Sequence, residues 1–233
     1  MISIVVRSLV RSLVFLSSLA IAEPQIINLI KASKDNPDYL VRIKNSLDSG
    51  ANANAEDQSG KTALSWAIFA NSPETLSLLL RHGADPNKRN RDDIGPLDDA
   101  AYKATFDRSA LPLVKILLKA GARINATNQK GITALMTTVV NAKDEQPLTP
   151  VIEFLLKNGA DPNLGATFDP AKIPATTPIM YAAGKGKVNI ARTLVKYGAD
   201  VWKKGLNGKT AIDSAQESGF TDLADELRRV RKR

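Results

Sequence analysis

Apolar segments recur at regular intervals along this chain, and polar turns separate them. The segment "LLLRHGADPN" (78–87) ends an apolar run at a glycine, and related segments begin at residues 117, 155 and 194. Each run places leucine or valine at the spacing that lines one face of a helix. The glycine that follows supplies the positive φ that ends a helix. The pattern therefore predicts several short helices, each followed by a tight polar turn.

Two landmarks give the length of the repeat. The helix-ending glycines stand at 50, 83, 121, 159 and 198, and triplets such as "TAL" or "TPI" begin at 62, 95, 133, 177 and 210. The triplet follows its glycine by 12 residues in every unit except the one before 177, and the next glycine follows after 21 or 26. The basic period is thus 33 residues. We expect insertions at 102–112 and 141–149, which lengthen connections between helices, and at 163–176, which lengthens a hairpin.

The recurring side chains have structural explanations. A threonine at the start of the triplet can cap a helix by accepting a hydrogen bond from a free backbone N–H, and a run of alanines lets two helices approach closely. The recurring aspartates, such as Asp85 and Asp161, belong to the turns. One unit of two short helices cannot bury its apolar face by itself, whereas stacked units can.

The module resembles the ankyrin repeat. Its cleanest unit is "TTPIMYAAGKGKVNIARTLVKYGAD", and the resemblance covers roughly residues 26–230. It implies an all-α solenoid of stacked helix-turn-helix units joined by β-hairpin-like turns. We expect about six units over 23–227, with a degenerate first and last unit, because terminal units face water instead of a neighbour.

The first 22 residues have the features of a secretory signal peptide. Arg7 and Arg11 precede or border a short apolar run, 12–22, that ends in Ala-Ile-Ala,. The run is too short for a spanning helix, which needs roughly 20 residues. We expect cleavage between Ala22 and Glu23; an uncleaved anchor and a buried first helix are the alternatives. Export without any cysteine favours a bacterial periplasm, with secretion as the alternative,.

The net charge of +8 is confined to the two ends of the chain. Seven of the 32 basic residues lie in 1–22 and in the tail "RRVRKR" (228–233), so residues 23–227 carry only +1. The predicted solenoid therefore lacks the broad positive surface that nucleic-acid binding requires. The basic tail leaves one alternative open, which is binding of an anionic membrane or nucleic-acid surface.

The composition offers little for catalysis. The chain has no cysteine, and His82, its single histidine, directly precedes a helix-ending glycine, where it suits the helix end,. There is also no phosphate-binding loop and no nucleophile–base pair. We therefore expect a protein that is not an enzyme, with no cofactor, metal site or small-molecule substrate.

Binding residues are expected at positions where the units differ. In ankyrin-like stacks the hairpin tips and the inner helices form a concave face, and the resemblance places ten candidates there: Trp66, Phe69, Arg91, Asp99, Tyr102, Gln129, Lys130, Tyr181, Lys185 and Lys209. For Trp66 and Phe69 the alternative is packing against the next unit. Trp202 replaces a turn asparagine, and it either packs toward the last unit or stands exposed as an anchor.

These features together predict an exported, monomeric interaction module that binds a protein partner through that face. A host-directed interaction effector is a further variant. Anionic-surface binding through the tail belongs to a different class of function, and deletion of 228–233 would separate it from protein binding.

Overall fold

The computed structural model describes residues 25–32, 38–143, 150–166, 176–205 and 207–231, and these fold into helices. The predicted signal segment with its cleavage site, most of the 141–149 and 163–176 insertions, and the last two residues lie outside this described part. Twelve helices form six pairs within it: α1 (25–31), α2 (Tyr39–Asp48), α3 (Ala63–Phe69), α4 (Pro73–Arg81), α5 (Pro96–Phe106), α6 (Leu111–Lys119), α7 (Ala134–Asn141), α8 (Pro150–Lys157), α9 (Pro178–Gly184), α10 (Val188–Lys196), α11 (Ala211–Glu217) and α12 (Thr221–Arg228). The all-α prediction is confirmed, and the count of about six repeats stays a prediction.

The chain divides into two compact units at the Asp92–Asp93 bond. In the first unit α4 packs against α2 and α3, and α1 contributes three fully buried isoleucines, Ile26, Ile27 and Ile30. In the second unit the inner helices pack in sequence, α5 on α7, α7 on α9 and α9 on α11, and each also contacts its own outer helix. Each unit therefore has the stacked arrangement that the repeat predicts, while a single stack over 23–227 stays a prediction.

The predicted caps and turns are confirmed. Four threonines begin inner helices and accept a hydrogen bond from the backbone N–H three residues later: Thr62, Thr133, Thr177 and Thr210. The five helix-ending glycines have φ between 84° and 93°. Alanines such as Ala67, Ala101 and Ala183 are fully buried between the helices. Isolated antiparallel bridges, Glu56 with Thr62 and Ala166 with Thr176, give two of the turns their hairpin character.

The turn asparagines hold successive repeats together. Within the second unit, Asn163 donates from Nδ2 to the Gly198 carbonyl (3.1 Å) and accepts at Oδ1 from the Asp200 N–H (2.7 Å). Asn54 in the first unit and Asn125 in the second make the same pair of bonds to the glycine and aspartate of the next turn. The asparagine therefore shapes its own turn and also links it to the turn of the next repeat.

Trp202 occupies the asparagine position in the next turn, and the structure decides its role. Its ring is half-buried, and Nε1 donates to the Val230 carbonyl (3.3 Å) beyond α12. In this turn an indole that bonds to the backbone beyond α12 takes the place of the asparagine amide. The packing interpretation is confirmed.

One expectation about the insertions was wrong. Residues 102–112 were predicted to form a longer connection, but α5 runs on to Phe106, a 3₁₀ turn spans Arg108–Ala110, and α6 begins at Leu111. Thr105 donates to the Ala101 carbonyl, as a helical threonine does. The added residues extend an inner helix because "YKATF" contains no residue that breaks a helix.

Across the described ranges, helices that are both apolar and long enough for a membrane crossing are absent.

Candidate functional site

The first unit presents an aromatic pair on α3. The Trp66 and Phe69 rings meet edge to face, with centroids 5.7 Å apart. Phe69 is 68% exposed, whereas Trp66 is half-buried. Aromatic residues are enriched at the cores of protein interfaces, so this exposed ring is a candidate contact with a partner. Binding by Phe69 and the alternative of packing against the next repeat both stay predictions.

Trp66 is fixed in place by charged neighbours. Its Nε1 donates to Asp57 Oδ2 (2.9 Å), and Lys31 Nζ lies 3.2 Å from the same oxygen and 4.2 Å above the indole centroid. Lys61 Nζ lies 5.3 Å from that centroid. The ring is thus bonded at its edge and contacted by cations, so the surface that carries Phe69 is organised before any partner arrives.

Asp57 is the anchor of this cluster. Burial alone would raise the pKa of Asp57, but hydrogen bonds from Ser59, from the Lys61 N–H, from Trp66 and from Lys31 outweigh it and hold the pKa far below its usual range. Asp57 therefore stays ionised, and Trp66 keeps its acceptor throughout the physiological pH range.

The second unit presents another aromatic pair, on α5. Tyr102 and Phe106 are 49% and 59% exposed, and their ring centroids are 5.2 Å apart. Tyr102 follows its cap residue, Gly95, by seven residues, as Phe69 follows Thr62. The two units therefore expose an aromatic ring at the same repeat position. Phe106 was missed in the sequence because the segment was taken for a loop; its spacing of four residues from Tyr102 was the available signal.

Three predicted residues come together between α9 and α11. Tyr181, Lys185 and Lys209 line one cavity of about 230 Å³, together with Glu217, whose carboxylate pairs with Lys209 Nζ. The sequence placed these residues on one face but gave no sign of a cavity there.

The hairpin-tip candidates are engaged in structural contacts. The Arg91 stem lies against Gly60, and Nη1 donates to the Gln58 carbonyl (2.8 Å). The Gln129 N–H donates to Asp93 Oδ2 (2.6 Å), and the Lys130 N–H donates within its own turn to Asn128. Asp99 is half-buried in the first turn of α5. These contacts link neighbouring hairpins or shape a tip, so partner binding by these four residues stays a prediction.

His82 has the structural role that its position predicts. Nδ1 lies 2.9 Å from the Leu78 carbonyl oxygen and Nε2 lies 3.0 Å from Asp48 Oδ1. The hydrogen bond to Leu78 and then the Asp48 carboxylate raise the pKa of His82. Among the described residues no cluster of three or more His, Asp or Glu side chains is arranged to hold a metal ion.

The basic tail begins with an arginine that already has partners. Arg228 donates from Nη1 to Asp225 and from Nη2 to Gln216. Binding of an anionic surface through residues 228–233 stays a prediction.

Comparison with known proteins agrees with this geometry. The family "Ankyrin repeats (3 copies)" matches residues 97–204 and 142–230, and "Ankyrin repeat" matches residues 59–91. Matching relatives include the mouse 2-5A-dependent ribonuclease (41% identity, 30% of this chain), the mouse ankyrin repeat and SOCS box protein 6 (49%, 24%) and the human ARF GTPase-activating protein GIT1 (43%, 26%).

The similarity to these relatives is confined to a repeat segment. The chain spans 9%, 14% and 8% of their respective lengths. Repeats of this kind typically serve as non-enzymatic protein-interaction modules. The matched repeats, the capped helix pairs and the glycine turns lead to one conclusion: this chain belongs to the ankyrin repeat family.

Proposed function

We propose that this chain is an exported, non-enzymatic interaction module that binds a protein partner through its inner helices and hairpin tips. The observation that carries the proposal is the exposure of aromatic rings at one repeat position, Phe69 in the first unit and Tyr102 in the second. Aromatic side chains are enriched among the residues that dominate binding energy. Each ring contacts one aromatic neighbour, Trp66 for Phe69 and Phe106 for Tyr102, and a large part of each side chain remains exposed.

Other polar and aromatic side chains that stand out in the sequence make structural contacts, which supports the proposal. His82 closes a helix end, and recurring aspartates such as Asp85 accept N–H bonds within their own turns. Trp66 is held by Asp57 instead of facing solvent fully. Each unit is left with exposed aromatic side chains for binding, which suit a protein better than a small substrate.

Affinity capture from the cells that produce the chain tests this proposal. We expect Phe69→Ala together with Tyr102→Ala to lose captured proteins that the wild type retains, since these rings are exposed and their removal leaves little cavity. The matched control is Val41→Ala with Phe220→Ala, which removes exposed apolar side chains from a different part of each unit. Identical capture by both double variants would refute the proposed surface.

Phe69→Ala is a sharper test than Trp66→Ala. Removing the indole would also take a donor from Asp57 and a ring from beneath Lys31. A loss of binding could then reflect damage to the first unit, whereas Phe69 can be truncated without breaking a hydrogen bond of that cluster.

Export is part of the proposal and rests on residues 1–22. We expect the mature chain to begin at Glu23, after cleavage behind Ala22, and to reside in a bacterial periplasm,. Intact-mass measurement of the protein from its native cells tests this: a mass that includes residues 1–22 would contradict cleavage.

A further inference from the structure

An open cavity lies between α9 and α11 in the second unit. It measures about 230 Å³, and its walls carry cations, hydroxyls, one carboxylate and one phenol: Tyr181, Lys185, Lys209, Ser214, Glu217 and Ser218. We call it the Gly184 groove, because Gly184 forms its floor between the two helices.

The groove exists because a side chain is missing. Gly184 follows its cap residue, Thr177, by seven residues, the position that holds Phe69 in α3 and Tyr102 in α5. A Cβ placed on Gly184 would lie 3.6 Å from the Ser214 Cβ, an ordinary contact distance. A repeat position that holds a ring in α3 and α5 therefore holds a glycine in α9.

One of the two lysines of the groove has an ion-pair partner and the other does not. Lys209 is bound to Glu217, and Ser214 donates to the Thr210 carbonyl. Lys185 also lines the groove and is exposed, and within the described part of the chain its ammonium group has no hydrogen-bond or ion-pair partner. The groove thus offers one unpaired ammonium group beside a phenol ring.

Other cations of the same stretch are already engaged. Arg192 forms a two-point ion pair with Glu226, and the Lys187 ammonium donates to three carbonyls at the end of α7. These two cations are therefore held in contacts between repeats.

We propose that the Gly184 groove receives a single acidic side chain, Asp or Glu, of the protein partner. This inference rests on the proposed function and names the chemistry recognised at one of its sites. The carboxylate would pair with Lys185 Nζ, a charge-assisted bond, while the methylene stem would lie against the Tyr181 ring and the Gly184 backbone. A hydroxyl from Ser218 is within the same wall and supplies a further donor.

The carboxylate wall argues against a polyanion as the occupant. Lys185 and Lys209 against Glu217 leave the groove with one net positive charge, which matches one carboxylate. A nucleic acid or an anionic membrane would bring several phosphates toward Glu217, whose carboxylate would repel them,.

The test uses a random dodecapeptide library displayed on phage, selected against the purified chain. We expect acidic peptides to be enriched, and a selected peptide to lose about tenfold in affinity when its glutamate or aspartate becomes the amide. Lys185→Gln in the chain should cost about the same factor. Gly184→Ala should weaken binding without loss of stability, because alanine favours the helix and fits beside Ser214.

The matched control is Lys196→Gln. Lys196 also lies beside a tyrosine, with Nζ 5.5 Å from the Tyr197 ring, but on the outer helix α10, and we expect no change there. Any of three results would overturn the proposal: no acidic peptide is enriched, Lys185→Gln binds as the wild type does, or a dodecathymidylate oligonucleotide or a phosphatidylglycerol vesicle displaces the peptide.

The outcome can be separated from that of the proposed function. If Phe69→Ala with Tyr102→Ala abolishes protein capture while Lys185→Gln leaves peptide binding intact, the interaction surface stands and the acidic-residue groove does not. The reverse result would keep the groove and reject the aromatic surface.

Discussion

Lys187 joins the start of α10 to the end of α7, and its removal should weaken the second unit strongly. Its ammonium lies 2.8, 2.9 and 2.7 Å from the carbonyl oxygens of Val139, Val140 and Ala142. The last carbonyls of a helix have no partner within the helix. Lys187→Met keeps the length and the apolar stem of the side chain but removes all three donors and the charge.

The expected magnitude follows from these contacts. A hydrogen bond that involves a charged group contributes about 1.5–3 kcal/mol to stability. A cation at a helix C-terminus adds about 0.3–1 kcal/mol. Three bonds share one ammonium, whose partial burial has a cost, so their contributions do not add in full. We expect Lys187→Met to lower the free energy of unfolding of the second unit by about 3 kcal/mol.

Urea unfolding followed by Trp202 fluorescence measures this loss. A Trp66→Phe background leaves Trp202 as the single tryptophan, so the signal reports on the second unit alone. With a urea dependence of about 2 kcal/mol per molar, the unfolding midpoint should fall by about 1.5 M. The control is Lys119→Met on the exposed end of α6, which should change stability by less than about 0.5 kcal/mol.

A small effect would refute the reasoning. If the unfolding free energy of Lys187→Met lies within about 0.5 kcal/mol of the wild-type value, water hydrogen-bonds to the α7 carbonyls as well as the ammonium does. Lys187 would then contribute nothing to the stability of the contact between repeats.

Three further predictions concern the frame of the repeats. Asn163→Ala removes two hydrogen bonds between neighbouring turns and should lower the unfolding free energy of the second unit by about 1–3 kcal/mol in the same assay. Hydrogen bonds to Leu78 and Asp48 raise the pKa of His82. The stabilisation by protonated His82 is therefore fully present below the ordinary pKa of 6.5 and is lost as the pH rises through the higher pKa of the folded state,. The Tm difference between wild type and His82→Gln should shrink from pH 6 to pH 9. Gly131→Ala should cost about 2 kcal/mol, because φ is 71° and the new methyl would lie 2.9 Å from a carbonyl oxygen of the next hairpin,; equal thermal unfolding of the variant and wild type would contradict it.

The capped helices could be predicted from the sequence because their causes are local. A threonine cap acts on a backbone N–H three residues away, and a helix-ending glycine needs only its own φ. The roles of Thr62 and Gly83 can therefore be predicted from the few residues around each of them. The buried alanines follow in the same way from the period of the repeat.

Contacts between repeats could not be predicted from the local sequence. The partners of Lys187 lie 45 to 48 residues earlier in the chain, and those of Asn163 lie 35 and 37 residues later. Only the stacking of the units brings these atoms together, so the sequence could identify the turn asparagine but not the clamp that it forms.

The exposed aromatic residues could be predicted in part. Phe69 and Tyr102 are both candidates on the inner helices, and the structure leaves both side chains exposed. The Gly184 groove was missed because its signal is an absent side chain, which appears in the sequence as one more glycine near a helix end.

Site-specific photo-crosslinking in the cells that produce the chain tests the central claim most directly. A benzoylphenylalanine at 69 or at 102 should crosslink to a defined protein, because these positions would lie within the interface, whereas the same residue at 41 or at 220 should give no such product. Equal crosslinking from all four positions, or a product from 41 or 220 alone, would contradict binding through the inner-helix aromatic residues.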